Sequence, residues 1–348
     1  MLALVVPLQG PAGIYGPSCQ VSAQLAVEEL NATTGIGGRH VRILEVDGGR
    51  APSVVAAEID LLATIGAIDA VVGWHISAVR QAVVTRLAGR LPYVYTALYE
   101  GGERARDVFL TGETPGVQLR PAMAWLRQEL GVRRWSIVGN DYVWPRRTAA
   151  AARSYARQLR CTVEFERYLP LGGERFGPIL DAIERTDADA VLMLLVGQDM
   201  VHFNRQYAAR GLDRKMVRFS TILDENALLG IGAPATRGLY SAAGYFGSLP
   251  TPDSLEFVGR ISARFGAFAP TCTSLGESCY EGVRLLAQLL GVPRAEATSL
   301  TTAADGLRYR SPRGDVHLAA NHLVQPVYLA AAEGVEFAVQ AQITSLDT

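Results

Sequence analysis

The sequence predicts an α/β protein made of two Rossmann-like lobes, and three observations carry that expectation. Short apolar runs alternate with amphipathic stretches from the first residues onward, the connections between them are short, and the alternation restarts around Phe109 to Gly116 in a chain of 348 residues. That length exceeds one compact core and suits two domains of ordinary size. Repeated β–α–β units joined by short connections imply a parallel sheet with helices on both faces.

Leu2 to Val6 is apolar throughout, which reads as a strand buried on both faces. The loop PLQGPAGIYG leads to a helix from about Ser18 to Asn31, ended by Gly35, Gly37 and Gly38. Strand Val41 to Val46 precedes a helix from Pro52 to about Ile65. The apolar run Ala70-Val71-Val72 stops at Gly73, and a helical stripe of Val79, Ala82, Val83 and Leu87 follows, with Ser77 at its mouth. Leu91 to Val94 is the next strand, and Phe109-Leu110 a short extended piece. Thr114-Pro115-Gly116 has turn chemistry before a helix from Val117 to Leu130.

The second series begins with strand Arg134 to Val138 and helix Trp144 to Leu159, with Pro145 near its first turn. Strand Thr162 to Tyr168, helix Arg175 to Arg185, strand Ala190 to Leu195 and helix Met200 to Gly211 continue it. Strand Val217 to Ser220, a short helix near Glu225 to Leu229 and strand Leu239 to Ala242 complete this half. Two long helices, Ser254 to Phe265 and Ser274 to Leu290, precede strand-like pieces at Gly314 to Leu318, Pro326 to Ala330 and Phe337 to Gln340.

Composition excludes several classes. Apolar residues make up 49% and charged residues 19%, with a formal net charge of −1, so no global field favours nucleic acid or an anionic membrane. No run approaches the ~20 apolar residues that span a bilayer. Met1 runs into an apolar stretch too short for a signal-peptide core. The protein is therefore expected either in the cytoplasm, if the chain truly starts there, or outside it with a leader removed. Cys19, Cys161, Cys272 and Cys279 are scattered and expected to stay reduced. Cys272 and Cys279 fall two helical turns, roughly 10.5 Å, apart, beyond disulfide reach.

Motifs for catalysis are missing. There is no GxGxxG after the first strand and no P-loop, nucleophile elbow or zincin helix. The five histidines are spread out, so neither a metal, a cofactor nor a catalytic residue is expected. What remains is a small-molecule site. In an open parallel sheet, loops at the carboxyl ends of neighbouring strands form the ligand crevice. Trp74, His75 and Ser77 lie at one such end, and Tyr95, Thr96, Tyr99 and Glu100 at the next. Ser77 can cap its helix, whose N–H groups attract a carbonyl or carboxylate oxygen. His75 can hydrogen-bond a ligand or simply line the crevice.

Several local motifs carry a family resemblance over essentially the whole chain. Pro7-Leu8-Gln9-Gly10-Pro11 with Tyr15-Gly16, and Asn31 through Gly37-Gly38-Arg39 to Val46-Asp47, resemble the type I periplasmic binding proteins of the leucine/isoleucine/valine-binding branch. Asn140-Asp141-Tyr142-Val143-Trp144-Pro145-Arg146, Tyr99-Glu100-Gly101, and Gly314-Asp315-Val316 with Asn321-His322 are similar to its amide- and urea-binding subgroup, which includes the cytoplasmic amide sensor of amidase operons.

The resemblance implies two α/β lobes of the Venus-flytrap kind, joined by a three-crossover hinge and closing on a ligand in the cleft between them. Lobe I would take residues 1–114 and 247–321, and lobe II residues 115–246 and 322–348. It implies a solute-binding protein that captures a small polar-ended molecule for an ABC importer and docks on its permease. The alternative is a cytoplasmic sensor acting through a regulatory protein partner.

Carried over by position, Ser77 would hold the ligand's polar group, with Trp74 beside it. Tyr95, Tyr142 and Trp144 would be aromatic walls. Ordinary core packing is the other reading for each aromatic. Glu225 matches an acid that faces the ammonium group in amino-acid binders, although helix capping or a hinge salt bridge would equally place an acid there. Ala97 beside Thr96 lacks a hydroxyl that the amide sensor carries, and Ile222 and Leu223 replace threonines. A buried unpaired ligand amide costs about 1–3 kcal/mol, so urea or acetamide fits poorly and a larger aliphatic or aromatic body with one polar end fits better.

Overall fold

The computed structural model describes residues 1–291 and 299–344; the expected lobe II tail at 345–348 lies outside them. The chain divides into two compact units. The first takes Met1–Leu98, Gly102–Gly112 and Pro250–Gln325; the second takes Tyr99–Gly101, Glu113–Leu249 and the chain from Pro326 on.

In the first unit, β1 (Leu2–Val6) is buried at every position. It pairs in parallel with β2 (Ile43–Asp47) on one side and β3 (Ala70–Gly73) on the other. A strand enclosed between neighbours and helices must be apolar along its whole length, which is why LALVV does not alternate. Helices α1 (Gly16–Asn31) and α2 (Pro52–Thr64) follow β1 and β2. Helix α3 (Ser77–Leu87) follows β3 and leads to β4 (Tyr93–Tyr95), then β5 (Val108–Leu110), both parallel to β3.

The second unit opens with α4 (Leu119–Leu130), which stops at Gly131 in the left-handed conformation. It continues with β6 (Arg134–Asn140), α5 (Val143–Gln158), β7 (Thr162–Leu169), α6 (Gly177–Glu184) and the fully buried β8 (Ala190–Leu194). Then come α7 (Gln198–Ala209), β9 (Val217–Ser220), α8 (Glu225–Ile231) and β10 (Leu239–Ala243). Strands β6 to β10 are mutually parallel in the order β10-β9-β8-β6-β7.

Helices α9 (Pro252–Phe265), α10 (Ser274–Gly291) and α11 (Leu300–Ala304) return to the first unit. Helix α10 lies along α1. The first unit also receives β11 (Arg308–Ser311), β12 (Gly314–Ala319) and β13 (His322–Val324), the last beside β5. In the second unit β14 (Val327–Glu333) pairs antiparallel with β10, and β15 (Glu336–Thr344) pairs antiparallel with β14 to close the sheet.

Most elements fall where the sequence places them, and the differences have local causes. Asn31 exchanges two side-chain hydrogen bonds with the backbone of Val41, so β2 starts at Ile43 and not at Val41. The carboxyl-terminal region holds five strands where three strand-like pieces are expected. The additional strands are β11 and the three-residue β13; β11, RYRS, is polar and half exposed, so it carries no apolar signal. The structure contains no disulfide among the described residues.

One buried polar hub ties the first unit together. Arg313, fully enclosed, pairs with the equally enclosed Glu277. It also donates to Thr111 O at 3.3 Å, Ser278 Oγ at 2.9 Å and Gln325 Oε1. Ser278 donates in turn to Thr96 O at 2.7 Å. Removing one partner of such a pair strands a buried charge at a cost of about 3–5 kcal/mol, whereas replacing both by apolar groups is far milder. Arg313→Met is therefore expected to lower the urea midpoint strongly, and the double variant Arg313→Met/Glu277→Leu to recover most of that loss.

Candidate ligand-binding site

In the first unit the candidate residues gather at the carboxyl ends of β3, β4 and β5. Gly73 ends β3 where no side chain fits: its φ is 149°, and a Cβ there would lie 2.1 Å from Val5 O. Trp74 follows, buried, with its ring edge-on to Tyr15 at 5.0 Å between centroids. Ser77 is the first residue of α3 and only 2% exposed. No side chain caps that helix and its first turn has no acid. Both Trp74 Nε1 and Ser77 Oγ are buried without a hydrogen-bond partner among the described residues. An indole N–H only donates, and an uncapped helix start is electropositive, so the pair is suited to an oxygen anion.

His75 lies inward of this group. Its Nδ1 is 3.2 Å from Val5 O and its Nε2 2.6 Å from Tyr93 Oη. Because a carbonyl only accepts, Nδ1 carries the proton and Nε2 accepts from the tyrosine. Burial drives its pKa down to about 3, with the Arg80 charge adding to the effect. Both ring nitrogens are thus committed, and the structure gives His75 a scaffolding role in place of the ligand contact expected as one option. Tyr95 donates its hydroxyl to His75 O at 2.7 Å. Thr96 Oγ1 stands 3.5 Å from Cys279 Sγ, and Ala97 is buried beside it. Thr111, directly after β5, has a fully enclosed hydroxyl without a partner among the described residues.

In the second unit the candidates sit at the carboxyl ends of β6 and β9, on either side of β8. Asn140 ends β6, donating to Asp199 Oδ2 at 2.6 Å and accepting from Val196 N at 2.9 Å. This holds the start of α5, where Tyr142 and Trp144 have ring centroids 6.3 Å apart. Trp144, 2% exposed, and Thr148 one turn later both carry buried polar atoms without partners among the described residues. After β9, Thr221 Oγ1 is likewise buried and partnerless. Ile222 and Leu223 are buried beside it as apolar wall. Asp224 caps α8 by accepting from Ala227 N. Glu225 accepts from Gly247 N through Oε1 at 2.9 Å, while Oε2 has no partner among the described residues. Burial, with the neighbouring Asp224 charge second, raises the Glu225 pKa to about 8.

Sequence reasoning missed Thr111, Thr148 and Thr221. Each hydroxyl residue stands at or just beyond a strand's carboxyl end or on the first turns of the next helix. That position was a usable signal. Among the described residues no group of three or more His, Cys, Asp or Glu is placed to hold a metal ion.

The chain matches the periplasmic binding protein family over residues 2–336 and belongs to it. Its fold is that of a solute-binding protein of an ABC transporter from R. palustris in complex with benzoate, at 20% identity, TM-score 0.87, covering 99% of this chain and 96% of that one. An ABC transporter substrate-binding protein from Sphaerobacter thermophilus matches at 24% identity and TM-score 0.83, covering 98% and 96%. The branched-chain amino acid transporter substrate-binding protein LivJ from Streptococcus pneumoniae, in complex with isoleucine, matches at 16% identity and TM-score 0.84, covering 97% and 98%.

The committed His75 ring makes a checkable statement. Its folded pKa of about 3 lies below the ordinary 6.5, so the unfolded chain binds the proton first and stability is lost as pH falls through that interval. In proton–nitrogen NMR spectra the His75 ring is expected to keep one neutral tautomer from about pH 8 to about pH 5.

Proposed function

We propose that this protein captures a small organic acid with an apolar body and delivers it to an ABC importer, outside the cytoplasm and without catalysing a reaction. The observation that carries the reading is the pair Ser77 Oγ and Trp74 Nε1, buried and partnerless beside the uncapped start of α3. Leaving such groups unsatisfied costs about 1–3 kcal/mol each, a cost that a ligand oxygen removes. The family supports it, and so do the neighbours, whose bound benzoate and isoleucine each join a carboxylate to an apolar body. Within the second unit, Trp144, Tyr142, Ile222 and Leu223 offer walls suited to an apolar body. No helix among the described residues is long and apolar enough to cross a membrane, which fits a partner role beside a separate permease.

Calorimetry against benzoate, isoleucine, urea and acetamide tests the reading. The two acids are expected to bind, with Ser77→Ala losing about tenfold or more for each. Tight urea binding without a response to either acid contradicts it.

A further inference from the structure

A cleft of about 270 Å3 opens on the first unit between α9, α10 and β11, and none of its lining residues belongs to the candidate ligand site. Its charge follows from spacing in the chain. Asp253, Glu256 and Arg260 lie three and four residues apart on α9, so they share one helix face. Tyr280 and Arg284 stand one turn apart on α10, and Arg310 comes from β11. One guanidinium group from each element thus borders the same space, together with two carboxylates.

Much of that charge is spent inside the wall. Arg310 holds Asp253 with two bonds, Nε to Oδ1 at 2.7 Å and Nη2 to Oδ2 at 3.1 Å. Arg260 donates through Nη1 to Glu29 Oε1 at 2.6 Å and to Tyr280 Oη at 3.0 Å, and Tyr280 donates to Glu29 Oε2 at 2.6 Å. These bonds fix two of the three guanidinium groups in place before any ligand arrives. What they leave over is donor capacity and positive charge. Arg260 Nε is buried without a hydrogen-bond partner among the described residues. Arg284, half-buried, makes no hydrogen bond or ion pair among the described residues, so its five N–H donors are unused by the protein. The remaining acid, Glu256, stands 3.8 Å from Arg260 Nε with its side chain 72% exposed. A carboxylate so open to water neutralises a neighbouring cation weakly.

We propose that this cleft is a second ligand site and that it takes a small di- or tricarboxylate. Guanidinium forks match carboxylate oxygens two by two. Arg284 supplies a complete fork, Arg260 its Nε and Arg310 its remaining Nη1. Because these donors come from three separate elements, several carboxylates on one small body fit them better than a single anionic centre does. The space suits such a body: about 270 Å3 equals the liquid volume of roughly nine waters. Glu256 at the rim opposes the ligand, and its removal strengthens binding. The site lies wholly within one unit and does not depend on the solute-capture reading.

Calorimetry on the full chain at low ionic strength, with citrate, inorganic phosphate and acetate as probes, tests it. Citrate is expected to bind with a Kd of about 1 mM or tighter, and phosphate and acetate at least about tenfold more weakly. Arg284→Met should lose about tenfold for citrate. Glu256→Gln, also a change of one charge, should gain about two- to threefold. Ser77→Ala should leave citrate binding as it is. Opposite signs for the two cleft variants identify the site, and Glu256→Gln, on the exposed rim, decides alone should Arg284→Met fail to fold. No citrate binding to the wild type, phosphate or acetate binding as tightly as citrate, no gain in Glu256→Gln, or loss of citrate binding in Ser77→Ala each overturns the proposal. Citrate binding that follows Arg284 and Glu256 upholds it even where benzoate and isoleucine do not bind.

Discussion

The structure depends on one constraint: parallel pairing of strands that are buried on both faces. Such strands send every following loop to the same edge of the sheet, and they leave no room there for casual side chains. Gly73 meets Val5 O so closely that only a hydrogen fits, and the chain must then turn directly into Trp74 and the start of α3. The same geometry in the second unit carries β6 into Tyr142 and Trp144, and β9 into Thr221 to Glu225. Each edge thus collects helix starts and buried polar side chains whose hydrogen-bonding capacity the protein itself does not use.

That unused capacity separates the groups proposed to face a ligand from the scaffold. His75, Tyr95, Asn140 and Arg313 are as deeply buried as Ser77 and Trp144, yet their polar atoms have partners inside the fold, among them Val5, Tyr93, Asp199 and Glu277. They position the loops. Ser77, Trp74, Trp144, Thr221 and Glu225 hold atoms that lack such partners among the described residues. Burial alone would have grouped all of them together; counting hydrogen bonds distinguishes them.

Much of this was legible in the sequence, and the reasons are specific. LALVV and AVLML announce themselves as buried strands because no polar residue interrupts them. The placement of Trp74, Ser77 and Trp144 follows from where those runs stop. The commitment of His75 was not legible, because its partner Tyr93 is eighteen residues away on another strand and Val5 seventy away. Nor was β11, whose polar residues show no period. The positions of Thr111, Thr148 and Thr221 could be read from the sequence, but their lack of a partner could not, because that is a property of the packed chain and not of a residue type.

A crystal structure with a captured acid probes the central claim most directly. On the proposed reading the acid's oxygens satisfy the partnerless buried atoms at the strand ends of the first unit, one of them within about 3.2 Å of Ser77 Oγ. An acid bound elsewhere, with Ser77 Oγ and Trp74 Nε1 still unsatisfied, contradicts the account.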